Sequence, residues 1–200
     1  EALHKAAEHG GVAPVLEIST KSSVPTGVSL SAFNLKVSSP NDGLIPLECA
    51  YQGSKVFKAG GPYTDLYDTD PREARRDPRL RSSGEIVAFR FGQCEFPATP
   101  KTAFYDWLYI ASALHVADVA DVGDKYRGFT DIEFNPARSI NCQARSFALL
   151  CSLKARLLLT ESMTSPTAFV TQLRTGWLQK SSLSSEKQSN DCLFKEDWTR

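Results

Sequence analysis

Glu48, Gln52 and Lys55 stand at i, i+4 and i+7 in the stretch 45–57, I-P-L-E-C-A-Y-Q-G-S-K-V-F, with Tyr51 beside them. On a helix this spacing gathers an acid, an amide, a base and a phenol onto one face. A carboxylate can give and take protons, and an amine is a base that becomes a nucleophile when neutral. Two readings follow. The plain one is a solvated face with a weak Glu/Lys pair. The sharper one is a catalytic stripe facing a cleft, because the apolar residues Leu47, Cys49, Ala50, Val56 and Phe57 are not gathered into the single stripe of an ordinary surface helix.

The element that must position these groups is a helix across 45–57. Pro46 suits its first turn and Glu48 its positive end. Upstream, 1–9 reads as a helix stopped by Gly10 and Gly11, 15–20 as a short strand and 21–27 as a turn-rich link. Residues 30–37 alternate, with Leu30, Ala32, Asn34 and Lys36 on one side of a strand and Phe33, Leu35 and Val37 on the other. A turn at 38–43 leads into the central helix. Beyond it, Gly60, Gly61, Pro62 and Tyr63 read as a helix stop or as a shaped ligand loop.

Arg72, Arg75, Arg76, Arg79 and Arg81 make the densest basic stretch. Asp70-Pro71 starts a short helix there and Asp77-Pro78 ends it. The arginines either pair with Asp70, Glu73 and Asp77 or meet a phosphate. The clearest strand is 85–91, and 102–110 fits a buried helix in which Tyr105 and Tyr109 belong to the core. Residues 115–125 are helical, Asp131 caps a turn or serves a site, and 139–159 reads as a long helix with Ser139 as N-cap. A further helix is expected over 162–179. The interleaving predicts a helix-rich α+β single domain over 1–180 with a few short strands, followed by a polar, serine-rich tail at 181–200.

Lysine plus arginine equal aspartate plus glutamate at 23 each, so no global charge draws the chain to nucleic acid or membrane, and a DNA contact must be local. Five cysteines (Cys49, Cys94, Cys142, Cys151, Cys192) show no C-x-x-C spacing. Cys49, Cys142 and Cys151 fall in apolar helical patterns, which predicts buried thiols and a cytoplasmic location. No signal peptide is expected, and the sequence shows no apolar membrane-length run, P-loop, G-x-S-x-G or metal-ligand spacing.

E-x-x-Y-Q-x-x-K-x-F resembles the signature helix of the NADAR (NAD- and ADP-ribose-associated) family. More closely, L-S-A-F-N-L (30–35), Y-Q-G-S-K-V-F (51–57), G-G-P-Y-T-D-L (60–66), P-K-T-A-F-Y-D-W-L-Y-I (100–110) and F-T-D-I-E-F-N-P-x-x-S-I-N-C-Q-A-R-S (129–146) resemble its antitoxin branch, which is paired with DarT-type toxins. The resemblance implies an N-glycosidase that removes ADP-ribose from guanine bases of DNA, needing no metal or cofactor, with ADP-ribose as product. It implies Glu48 as acid/base, Lys55 as Schiff-base nucleophile and Asp131 as the late site aspartate, with Glu133 the runner-up. It places Asn34, Tyr51, Gln52, Gly61, Tyr63, Trp107 and Asn141 around the substrate, Trp107 against the ligand, and the amides at the start of the last long helix near a phosphate. The partners implied are ADP-ribosylated DNA, ADP-ribose and a cognate DarT-type toxin, with no membrane. The alternatives are hydrolysis of a ribosylamino-pyrimidine of riboflavin synthesis, or a non-catalytic ADP-ribose-binding module.

Overall fold

A computed structural model describes residues 2–117 and 119–175. The expected tail at 181–200, and the end of the helix expected to reach residue 179, lie outside the described residues. Helices α1 (Ala2–His9), α2 (Pro25–Ser29), α3 (Leu47–Gly53), α4 (Pro71–Arg76), α5 (Arg79–Ser82), α6 (Ala103–Ala113), α7 (Val119–Lys125), α8 (Gln143–Ala155), α9 (Leu159–Met163) and α10 (Pro166–Thr175) interleave with short strands. The strands are β1 (Val15–Glu17), β2 (Lys36–Ser38), β3 (Leu44–Pro46), β4 (Lys55–Phe57), β5 (Ile86–Phe91), β6 (Cys94–Pro97) and β7 (Gly128–Thr130). The α+β expectation holds. Among the described residues no helix is long and apolar enough to cross a membrane.

Among the described residues the strands form three small sheets: β1 parallel to β7, the β2–β3 hairpin, and the antiparallel order β4-β5-β6. The β2–β3 hairpin and strands β5 and β6 pack on α6, while β7 packs on α8 through Phe129 and Phe147. The eleven residues of α6 are buried, as its run of aromatic and small side chains requires. Phe96 and Phe104 pack against Trp107, and the Tyr109 hydroxyl donates to the Leu30 carbonyl at 2.7 Å. Asp106, buried on the same helix, accepts from Arg145 Nη1 (3.0 Å) and Ser146 Oγ (2.7 Å), which ties α8 to the core.

Three sequence expectations are corrected. The helix at 45–57 ends at Gly53, where a Cβ would come within 2.6 Å of the Tyr67 ring. Ser54 then turns the chain, and Lys55 opens β4 instead of continuing the helix, paired with Phe89. The strand expected over 30–37 exists only as Lys36–Ser38. Before it the backbone turns: Leu30 N donates to Thr26, Ser31 N to Val28, and Asn34 N and Leu35 N to Ser31. Lastly, the long helix starts at Gln143 with Cys142 as N-cap and ends at Ala155, with Leu157 in a left-handed conformation before α9. Ser139 caps a local turn, its Oγ accepting from Asn141 N at 3.1 Å. Of the thiols, Cys49 is buried, whereas Cys142 and Cys151 are only half-buried.

Candidate active site

A cleft of about 830 Å³ opens over α3. Its floor is the surface of α3 that carries Glu48, Tyr51 and Gln52, together with Lys55 from the strand that follows. Tyr105 of α6 and Arg75 of α4 reach it from one side, and the segment 131–143 forms the opposite wall with Asp131, Glu133 and Asn141.

Gln52 is the keystone of the floor. Its Nε2 donates to Glu48 Oε1 at 2.8 Å, and its Oε1 accepts from Lys55 Nζ at 2.5 Å. The amide orientation is dictated by the neighbours, since an ammonium only donates and a carboxylate only accepts. Glu48 and Lys55 are thus linked through one buried amide and not as an ion pair. Helical spacing expected them on one face. Although Lys55 has left the helix, β4 returns its side chain to that face, where Nζ lies 4.7 Å from the centre of the Tyr51 ring.

The electrostatics of the amine are set by opposing forces. Burial pulls the Lys55 ammonium down to about 8 from an ordinary 10.5. The Glu48 carboxylate resists that fall and the Arg75 guanidinium adds to it. A useful fraction of Lys55 is therefore neutral near physiological pH. Burial also pushes the Tyr51 phenol up to about 12, against a hydrogen bond from Asn141, so Tyr51 stays protonated. Its ring is anchored edge-on to Tyr105, with centroids 5.4 Å apart.

On the opposite wall, Asp131 is raised by burial and restrained by hydrogen bonds. Oδ1 accepts from Gln143 Nε2 (3.0 Å) and Glu133 N (3.1 Å), and Oδ2 accepts from Gln143 N (3.3 Å). One of the helix amides expected to meet a phosphate is therefore turned toward Asp131. The buried Gln143 side chain also accepts from Ala32 N at 2.6 Å, which clamps the 31–35 turn to this wall. Glu133 is held by Thr20, whose Oγ1 and N donate to it at 2.5 and 3.2 Å. Asn141 presents a buried Oδ1 with no hydrogen-bond partner among the described residues.

Glu48, Tyr51, Gln52, Lys55, Asp131 and Asn141 are thus brought together as expected. Four expected ligand residues are not. Trp107 is fully buried in the core, because α6 is covered on every side. Asn34 donates its side-chain amide to the Val28 carbonyl at 2.8 Å and holds the turn instead of lining the cleft. Tyr63 stacks under Arg79, 4.4 Å from ring centre to guanidinium carbon, with its hydroxyl on Ser83. Gly61, at φ +79°, sits where a Cβ would overlap the Lys55 carbonyl oxygen, so it permits close packing behind β4.

Conversely, sequence reasoning left Arg75 inside a basic run, assigned Tyr105 to the core and put Phe33 on a strand face. All three line the cleft. The arginine run carried a signal for the first of them: Arg79 pairs with Asp65 and Asp77, whereas Arg75 points to the cleft.

A family model described as the DarT1-associated NADAR antitoxin matches residues 1–182. No curated protein matches the chain.

Proposed function

Since this chain belongs to the DarT1-associated NADAR antitoxin family, we propose that it is an N-glycosidase that frees ADP-ribose from modified guanine in DNA and so undoes the mark of its cognate toxin. An antitoxin role beside a DarT toxin comes with the family. The observation that carries the chemistry is the chain Glu48–Gln52–Lys55 on the cleft floor, with its amine pulled down to about 8.

The substrate carbon, C1 of the distal ribose, is bonded to the ring oxygen and to the exocyclic guanine nitrogen. A proton from the Lys55 ammonium passes by way of Glu48 to the ring oxygen, which leaves the amine neutral. That C–O bond breaks, and the open sugar is an iminium between C1 and the guanine nitrogen. Neutral Lys55 then adds through Nζ to C1. A proton passes from the new ammonium to the guanine nitrogen by way of Glu48, and the C1–N bond to guanine breaks with its electron pair leaving on the base. A lysine Schiff base remains. Water adds to C1, Glu48 takes its proton, and collapse of the adduct returns Lys55 and free ADP-ribose, which recloses. The sum is hydrolysis, with one water consumed.

Gln52 has two duties. It keeps Lys55 and Glu48 aligned, and by standing between them it prevents a tight ion pair that would hold the amine charged. Across the cleft, the Asp131 carboxylate faces the positive charge that develops at C1 and can orient the attacking water. Asn141 Oδ1 is an acceptor suited to a sugar hydroxyl. Arg75 supplies a fork for a phosphate of the ADP moiety.

Incubation with an oligonucleotide carrying ADP-ribosylated guanosine, followed by mass spectrometry, tests the reading. Wild type is expected to release ADP-ribose, and Glu48→Gln to be slower by about 10²–10⁴-fold. Binding without release would reduce the protein to an ADP-ribose reader.

A further inference from the structure

Phe33 is an aromatic side chain that the fold has chosen not to bury. Leu30 and Leu35 on either side of it are in the core, at 0% and 3% exposure, while Phe33 is 54% exposed and lines the cleft. The turn that carries it is tightly fixed. Ala32 N is held by Gln143, Asn34 N and Leu35 N by the Ser31 carbonyl, and the Asn34 side chain by the Val28 carbonyl. A mobile surface loop would leave its ring position undefined; this one presents it from a scaffold.

The wall formed by 131–143 repeats the arrangement. Ile140, also 54% exposed, lines the same cleft, and the turn beneath it is pinned by Ser139 Oγ, which donates to the Asn141 carbonyl at 3.2 Å. Arg138 lines the cleft two residues before it and is exposed. The floor at Gln52 is buried, so exposure rises from the reacting groups to these three side chains. The rim is thus an aromatic plane, an aliphatic side chain and a cation around a polar floor.

We propose that this rim, with Phe33 as its platform, binds the nucleobase next to the modified guanine, and that Arg138 takes the phosphate between them. The inference rests on the glycosidase reading above and adds to it how the strand is held. A guanine whose adduct reaches the cleft floor continues through its sugar-phosphate into neighbouring nucleotides at the mouth. There, stacking on an aromatic face is available to any base whose face is unpaired. The balanced charge of the chain gives no long-range grip on a polyanion, so affinity for the strand must come from such local contacts.

The test compares two substrates: a short single-stranded oligonucleotide carrying the adduct, and the ADP-ribosylated nucleoside alone. Phe33→Ala is expected to lower kcat/KM on the oligonucleotide by about 5- to 100-fold and to leave the nucleoside within about twofold. Phe33→Trp restores the oligonucleotide rate. Equal losses on both substrates would mean that the ring touches the adduct itself, and no loss on either would mean that it touches nothing; each overturns the proposal. If wild type cleaves neither substrate, the glycosidase reading fails by itself. The platform is then read from fluorescence anisotropy with the unmodified oligonucleotide, where binding weakened in Phe33→Ala supports it and unchanged or absent wild-type binding overturns it.

Discussion

Lys55 illustrates how a site sets reactivity with few parts. Its folded value, about 8, lies below the ordinary 10.5, so the native state holds the proton less tightly than the unfolded chain. Two consequences follow from that sign. Folding is penalised while the amine is charged, fully below about 8, and the penalty fades as pH rises toward 10.5. The neutral fraction of the amine grows across the same window, so acylation of Lys55 by acetic anhydride accelerates as pH rises through about 8. Arg75 contributes by like charge, and removing it lets the Glu48 carboxylate hold the proton more firmly. Arg75→Gln is therefore expected to shift the pH midpoint for acetic anhydride labelling of Lys55 upward, with about 3- to 10-fold less neutral amine at pH 7. Arg75→Lys keeps the charge and should keep the midpoint. Peptide mass spectrometry reads both, and an unmoved midpoint in Arg75→Gln would remove Arg75 from this role.

At the scale of elements, the passage from α3 to β4 decides whether the site exists. Gly61 lies behind it, and any side chain at Gly61 would push on the Lys55 carbonyl. Gly61→Ala is expected to cost about 2–4 kcal/mol of stability, from a left-handed alanine plus the overlap, and to misplace Lys55. Urea unfolding checks this, and a variant as stable as wild type would contradict it. Some elements were legible from local chemistry alone. The Asp70 side chain accepts from Arg72 N at 2.8 Å, as an aspartate before proline at a helix start should, and the β-branched and aromatic run at 86–91 is β5. The failures share a cause. Helical spacing correctly put Lys55 with Glu48, yet the chain leaves the helix at Ser54, whose carbonyl accepts from Arg90 N at 2.7 Å, and Lys55 pairs with Phe89 of β5. The alternation of 30–37 resembles a strand, but Asn34 and Gln143 hold a turn there. β5 and Gln143 are distant in sequence from these stretches, and a periodicity argument cannot see them.

For the molecule as a whole, the cleft is assembled from residues at 32–33, 48–55, 75, 105 and 131–143, brought together around a helix with no exposed face. The Glu48–Gln52–Lys55 stripe was readable because it is local. The far wall was readable only in part, through the family resemblance that singled out Asp131 and Asn141. Trp107 was misplaced because a tryptophan in an aromatic helix gives no sign of which way it faces, and here the core claims it. The family match over residues 1–182 spans every described element, so the cleft belongs to the shared domain. What separates this account from a simple acid-catalysed hydrolysis is the covalent role of Lys55. Reductive trapping with borohydride during turnover of the modified oligonucleotide, followed by peptide mass spectrometry, addresses it directly. The account predicts ADP-ribose fixed as a secondary amine on Lys55 and absent from Lys55→Ala. ADP-ribose release at full rate with no adduct on Lys55 would contradict it.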